Sequence, residues 1–143
     1  MPGNRIHIPD EALSIIRREL KLNSPYEACG VLVGLVDDND ENTVMVIRAV
    51  PIKNSNRTHR SFELDPVGLY KAWTGAEDDG LDIVGIYHTH PVSPARPSAW
   101  DMEYMQQEQN IWVIAGADGI FAYLWEDGRA QDVEIVRKED TAG

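Results

Sequence analysis

The segment that most constrains the fold runs from a buried strand through a proline-rich loop into a helix. Residues 81–88 are mostly apolar and predict a buried strand. Three prolines in residues 91–97 predict an irregular loop, because proline lacks the backbone donor and fixes its own dihedral angle. Residues 98–109 then predict a helix. The loop can turn back, so that the helix begins beside the end of the strand.

Further predicted helices and strands surround this segment. Residues 11–22 have apolar side chains close to helical spacing, with Asp10 suited to cap them, and Pro66 opens a second helix that ends near Gly80. Short runs rich in Val, Ile and aromatic residues predict strands, and they lie at 30–36, 43–52, 61–64, 111–115, 120–125 and 133–136. This order predicts an α/β (α+β) domain with three helices around one sheet of roughly six or seven strands.

Length, charge and cysteine content narrow the class of protein. Residues 1–143 fit one domain, without an apolar stretch near the ~20 residues that cross a bilayer and without a secretory signal. We therefore expect a cytoplasmic monomer or homodimer that does not contact membranes. The net charge of −11 argues against nucleic acid as a partner; it either favours a basic or neutral partner or only maintains solubility. With Cys29 as the single cysteine, a metal ion must be held by imidazoles and carboxylates.

Two histidines and an aspartate around the proline-rich loop predict a metal site. His88 and His90 are two apart on the predicted strand, so their side chains point to the same face. Asp101 lies in the first turn of the following helix and can supply a third ligand. Two imidazoles, one carboxylate and an open fourth position describe a catalytic zinc site, in which bound water has its pKa lowered to roughly 7.

Two further residues complete the candidate chemistry. Glu27 precedes an apolar run, and partial burial there would raise its pKa into the range useful for a proton shuttle. Ser98 lies one helical turn before Asp101, where its hydroxyl can donate to an oxyanion. Each residue has a simpler interpretation, since Ser98 and Asp101 also resemble a capping box and Glu27 alone is typical of a solvated carboxylate. Four of the five positions nevertheless fall within residues 88–101, which favours a common site.

The pattern resembles the JAMM (MPN+, JAB1/MPN) zinc metallopeptidase family, whose motif is an upstream Glu followed by H-x-H-x7-S-x-x-D. The resemblance extends to residues 26–34 and, more weakly, to residues 62–66. It implies that His88, His90 and Asp101 bind one Zn²⁺ per chain, that Glu27 is the catalytic acid and base, and that Ser98 stabilises the oxyanion. It also implies the JAMM/MPN fold, a curved mixed sheet flanked by helices and related to cytidine deaminase.

The resemblance implies a deubiquitinase-like peptidase or isopeptidase that cuts after the C-terminal Gly-Gly of ubiquitin or a ubiquitin-like modifier. The alternatives are processing of a ubiquitin-like sulfur-carrier protein and a non-catalytic MPN scaffold. A nucleobase deaminase requires H-x-E and P-C-x-x-C, which one cysteine cannot supply. A likeness of the 90–98 loop to RadC-like proteins is disfavoured by the net acidity. Without the long insertion and the C-terminal helices of eukaryotic members, we expect a free-standing enzyme without linkage selectivity.

The modifier's tail is expected to enter as an extended strand in a groove near the histidines. We place one wall of this groove at residues 58–62 and the other at residues 92–96. The candidate substrate-binding residues are accordingly Thr58, Phe62, Val92 and Arg96.

Overall fold

The computed structural model describes residues 4–37, 39–56 and 61–137. Seven strands and three helices are found in these residues, and they confirm the predicted mixture of strands and helices. Their order is β1 (Arg5–Ile8), α1 (Asp10–Asn23), β2 (Cys29–Asp37), β3 (Asp40–Ile52), α2 (Pro66–Asp78), β4 (Asp82–His90), α3 (Ala99–Met105), β5 (Ile111–Gly116), β6 (Gly119–Glu126) and β7 (Arg129–Arg137). No helix among the described residues has the length and apolar character required to traverse a lipid bilayer.

The strands form one mixed sheet that closes into a barrel in the order β1-β3-β2-β4-β5-β6-β7. Strand β1 pairs in parallel with both β3 and β7, and β4 pairs in parallel with β5. The remaining pairs are antiparallel. Strand β4, which carries both histidines, therefore lies between β2 and β5 and is buried along most of its length.

Alternation along the strands sends neighbouring side chains to two hydrophobic clusters, one on each face of the sheet. Tyr87 of β4 belongs to the cluster that includes Leu13 and Ile16 of α1. Ile86 belongs to the second cluster, together with Met105 of α3. Because His88 and His90 follow Ile86 at intervals of two, they lie on the α3 face of the sheet. The helix that carries Asp101 thus packs against the face that carries the histidines.

The structure removes one predicted strand and shortens one predicted helix. Residues 61–64 do not form a strand, because their pairing with the 53–55 segment is limited to one isolated bridge between Asn54 and Leu64. Helix α3 ends at Met105 instead of residue 109. Met105 is the last residue of that helix with a buried side chain, and the exposed Gln106 and Gln107 that follow give no apolar face to hold another turn against the sheet.

Two features of the N-terminal region also differ from the sequence-based expectation. Asp10 does not cap α1: it is the first helical residue, Pro9 occupies the cap position, and the Asp10 carboxylate accepts from Arg137 at 3.2 Å. Strand β1 was not predicted. Its four residues are too short for a periodic signal, and they are held as a strand by pairing with β3 and β7, which are distant in sequence.

Candidate active site

The C-terminal end of β4 presents the two histidines to one buried point. His88 pairs with Cys29 of β2 on one side and Ile114 of β5 on the other. Its side chain is fully buried, and that of His90 is nearly so. The two Nε2 atoms lie 3.1 Å apart. The alternation of a strand therefore brings two imidazole nitrogens together, as the spacing predicted, and their role as metal ligands stays a prediction.

Asp101 reaches both histidines from the first turn of α3. Its Oδ1 lies 3.0 Å from His88 Nε2, and its Oδ2 lies 3.0 Å from His90 Nε2. Neighbouring ligand atoms on a tetrahedral zinc ion with bond lengths of ~2.0–2.1 Å are about 3.3 Å apart. Two imidazole nitrogens and a carboxylate at these separations have the spacing that a metal ion requires. That this ion is zinc stays a prediction.

The capping box that competed with the catalytic interpretation of Ser98 is present. Ser98 Oγ accepts from the Asp101 backbone N–H at 3.0 Å, and Asp101 Oδ2 accepts from the Ser98 backbone N–H at 2.9 Å. Because the serine oxygen is the acceptor in this contact, its own O–H hydrogen is still available to another group. Capping fixes Asp101 in place and leaves the half-buried Ser98 hydroxyl beside the cluster.

An aromatic cluster fixes the His88 ring. Phe62 stacks on the imidazole with ring centroids 4.6 Å apart, and Trp112 meets it edge-on at 5.5 Å. Both aromatic side chains are fully buried. Burial lowers the pKa of His88, although Asp101 opposes this effect, and the ring is held in the neutral form that binds metal.

His90 is oriented by the proline-rich loop. Its Nδ1 lies 2.8 Å from the carbonyl oxygen of Pro94, an acceptor, so Nδ1 carries a hydrogen and Nε2 faces Asp101. Burial would lower the pKa of His90, but its hydrogen bonds with Asp101 and Pro94 raise it. The loop is fixed in turn, because the buried Ala95 accepts from Tyr123 Oη at 2.7 Å and donates to Asp118 Oδ1 at 2.8 Å. At Gly116 a Cβ would lie 2.7 Å from the Ala95 nitrogen, which explains a glycine there.

Glu27 lies just before β2, in a different environment from Asp101. A carboxylate oxygen of Glu27 lies within 4.8 Å of ring nitrogens of His88 and His90, so these three residues could also hold a metal ion together. The side chain is 4% exposed, and Oε1 has no hydrogen-bond partner in the described part of the chain. Burial raises the pKa of Glu27 to about 8; His90 lowers it and Asp101 raises it. A buried carboxylate with one unpaired oxygen and a raised pKa is suited to exchange a proton.

Asp101 has the opposite shift. Burial alone would raise its pKa, but the contacts with His88 and His90 and the hydrogen bond from the Ser98 amide hold the pKa well below its usual range. Asp101 therefore stays ionised, as a metal ligand must. Two buried carboxylates within one site thus have pKa values shifted in opposite directions, the arrangement that lets one stay charged while the other exchanges a proton.

The predicted groove residues are distributed unevenly around the cluster. Val92 and Arg96 are exposed on the loop that follows β4. Phe62 has no exposed surface, so any effect it has on a substrate would pass through His88. Thr58 lies outside the described residues. The substrate-binding roles of all four stay predictions.

Two polar residues near Glu27 were missed at the sequence level. Asn54 Nδ2 donates to the Glu27 carbonyl oxygen at 2.8 Å. Thr89 Oγ1 accepts from the Ala28 backbone N–H at the same distance. Both contacts join segments far apart in the chain, so no local pattern marks them. The position of Thr89 between two candidate ligands was the one available signal.

The chain belongs to the family of prokaryotic homologs of the JAB domain, whose sequence profile matches residues 9–131. This confirms the predicted JAMM/MPN membership. Over 131 residues the chain is 34% identical to a protein named "Desampylase" from Pyrococcus furiosus, covering 90% of this chain and 88% of that one. Over 135 residues it is 32% identical to a "Probable TtuB-protein conjugate cleaving protease" from Thermus thermophilus, covering 94% and 84%. A "CysO-cysteine peptidase" from Mycobacterium tuberculosis is 32% identical over 90 residues, covering 63% and 58%.

Solved structures confirm the fold class. A protein from Desulfitobacterium hafniense, determined in solution, superposes with a TM-score of 0.83 at 25% identity, covering 93% of this chain and 92% of that one. A second solution structure, from Salinibacter ruber, gives 0.69 at 29% identity, with 96% and 94% covered. The mixed sheet with its helices is therefore the arrangement of both proteins along nearly their whole length.

Proposed function

We propose that the protein is a zinc-dependent peptidase that cuts peptide or isopeptide bonds after the C-terminal Gly-Gly of a ubiquitin-like modifier. The single observation that carries the proposal is the convergence of His88, His90 and Asp101 on one point beside a buried Glu27 that has one unpaired oxygen. A structural site would close its shell with four ligands, whereas three ligands and a separate base suit hydrolysis. A non-catalytic scaffold would not require a base that is separate from the metal ligands.

In this proposal the residues divide the chemistry between them. His88, His90 and Asp101 would hold the zinc ion, which would supply Lewis acidity and a nucleophilic water near neutral pH. Glu27 accepts the proton of the attacking water and passes it to the leaving amine, a transfer for which a pKa near neutrality is favourable. The Ser98 hydroxyl donates to the oxygen that becomes negatively charged as the carbonyl is attacked.

The relatives favour a protein-conjugated modifier as the substrate. The names of the archaeal and Thermus relatives describe removal of such conjugates, and the matches cover at least 84% of each of these proteins. The CysO-cysteine peptidase matches over a shorter part, 58% of its length. Cleavage of a ubiquitin-like sulfur carrier from a small amine is therefore the second candidate. With either substrate, the C-terminal tail of the modifier runs past the exposed Val92 and Arg96. We also propose that the reaction takes place in the cytoplasm.

Incubation with ubiquitin-like substrates tests the function. Purified wild type is mixed with linear fusions and lysine conjugates of ubiquitin-like proteins, with and without a chelator, and the released C-terminus is identified by mass spectrometry. We expect a free Gly-Gly terminus that disappears on chelation and returns with added Zn²⁺. Glu27→Gln is the matched inactive control, because the amide preserves shape but cannot accept the proton. Cleavage that is insensitive to chelation, or no cleavage of any substrate, would contradict the proposal.

A further inference from the structure

The direction of the Glu27 side chain is set by its backbone. Its Oε1 is buried and has no hydrogen-bond partner among the described residues. Asp101, by comparison, is held by contacts of both carboxylate oxygens with other side chains. Glu27 also precedes the first residue of β2, so the ladder of that strand does not extend to it. The contacts that fix the neighbouring peptide groups therefore help to set its direction toward the cluster.

Two side chains hold the peptide group that joins Glu27 to Ala28, one at each polar atom. Asn54 Nδ2 donates to its carbonyl oxygen at 2.8 Å. Thr89 Oγ1 accepts from its N–H at 2.8 Å. A peptide group is planar, so fixing its oxygen and its nitrogen fixes the orientation of the plane. The orientation of that plane in turn limits where the Glu27 side chain can point.

Asn54 and Thr89, which together clamp this peptide group, are themselves held in place by further hydrogen bonds. Asn54 Oδ1 accepts from the backbone N–H groups of Asn56 and Glu63, each at 2.9 Å, so the carboxamide cannot turn without losing two more bonds. Thr89 is fully buried, and its backbone N–H donates to the Ala28 carbonyl at 3.0 Å. It lies between His88 and His90 on the opposite face of β4. The strand that presents the two imidazoles therefore also holds the peptide that aims the carboxylate.

We infer that Asn54 and Thr89 are positioning residues that set the distance between the Glu27 carboxylate and the two histidines. The inference rests on the proposed function, because it assigns these residues a role in the same hydrolytic step. Proton transfer depends on near-ångström placement, and a misplacement of ~1 Å can cost on the order of a hundredfold in rate. Loosening either clamp should lower kcat while KM and zinc content stay near wild type, since neither side chain is a candidate ligand or groove residue.

Matched variants separate positioning from folding. Asn54→Asp keeps an acceptor for Asn56 and Glu63 but cannot donate to the Glu27 carbonyl, and we expect kcat to fall roughly tenfold to a hundredfold. Asn56→Ala is the control, because Asn56 donates to Ser61 Oγ at 2.7 Å in the same segment without contacting Glu27. Its kcat should stay within about twofold of wild type. Thr89→Val should lower kcat, and Thr89→Ser, which retains the hydroxyl, should recover most of it.

A double-mutant cycle gives the decisive readout. If Asn54 acts through Glu27, then Asn54→Asp in the Glu27→Gln background should change the residual rate by less than about twofold. An equal loss in both backgrounds would overturn the inference. So would full kcat in zinc-loaded Asn54→Asp and Thr89→Val, or loss of zinc from both variants. Inactive wild type would overturn the proposed function and this inference together, whereas active wild type with inactive Glu27→Gln and active Asn54→Asp would overturn the inference alone.

Discussion

The two buried carboxylates of the site lie in opposite environments. Asp101, at the start of α3, contacts two histidines and a backbone amide, and its pKa is held low. Glu27, before β2, is held through its backbone, has an unpaired oxygen, and has its pKa raised by burial to about 8. Two acidic residues within one small site are thus prepared for different tasks. Asp101 is suited to remain charged beside a cation, and Glu27 is suited to exchange a proton.

The largest expected effect comes from removing the proton acceptor. Glu27→Gln should lower kcat by roughly a hundredfold to ten-thousandfold, because general-base catalysis is lost while the shape of the site is kept. Steady-state kinetics on a cleaved ubiquitin-like fusion, with metal content measured in parallel, checks this. Turnover near the wild-type rate would mean that another residue is the base. The proposed difference in role between Glu27 and Asp101 would then be wrong.

A smaller loss is expected from the hydroxyl beside the ligands. Ser98→Ala should lower kcat by about a hundredfold, as removal of an oxyanion donor does, and should also destabilise α3 by ~1 kcal/mol through loss of the cap. Asp65→Ala is the matched control, because Asp65 caps α2 by accepting from the Gly68 N–H at 3.0 Å, in a helix that carries no site residue. Equal losses of activity in the two variants would reduce Ser98 to a structural cap.

A pH-dependent effect on stability follows from the raised pKa of Glu27. In the metal-free protein the folded state favours the neutral carboxyl, so wild type loses stability as pH rises from 4.5 to about 8. Glu27→Gln does not titrate there. The difference in melting temperature between Glu27→Gln and wild type should therefore be small near pH 4.5 and increase in favour of the variant as the pH rises to about 8. Thermal melts of chelated protein at several pH values measure it, and a difference independent of pH would show that Glu27 is not desolvated.

The smallest effect is expected at the cysteine that adjoins the site. Cys29 is fully buried, its thiol donates to the Ile52 carbonyl at 3.5 Å, and burial raises its pKa to about 12. The thiol therefore stays neutral and is a poor nucleophile. Cys29→Ser should leave kcat within about twofold, while alkylating reagents inhibit weakly and chelators strongly. Strong inhibition by alkylation alone would indicate cysteine chemistry.

The parts of the site that could be predicted from sequence are those fixed by local geometry. Strand alternation brings His88 and His90 together, and a capping turn sets Ser98 against Asp101, so short-range spacing was sufficient for these positions. Glu27 could be suggested from its place before an apolar run and from the family motif, but its distance from β4 depends on the pairing of β2 with β4. The clamps at Asn54 and Thr89 are contacts between distant segments, and no periodic or motif signal predicts them.

The fold shows the same division between local and distant information. Long elements such as α1 and β4 follow from periodicity and apolar runs. Strand β1 has only four residues and exists through pairing with strands distant in sequence. The closure of the sheet into a barrel has the same cause, because it depends on β1 joining β3 to β7. Sequence reasoning therefore predicted a mixed sheet without predicting that it closes.

Zinc binding by two isosteric variants tests the division of roles between the carboxylates most directly. Wild type, Glu27→Gln and Asp101→Asn are stripped with a chelator, titrated with Zn²⁺ and analysed for bound metal by calorimetry and native mass spectrometry. We expect about one zinc per chain, with similar affinity, in wild type and Glu27→Gln, and greatly weakened binding in Asp101→Asn, which loses a charged ligand. Loss of zinc from Glu27→Gln, or unchanged binding in Asp101→Asn, would contradict the assignment of Asp101 as ligand and Glu27 as base.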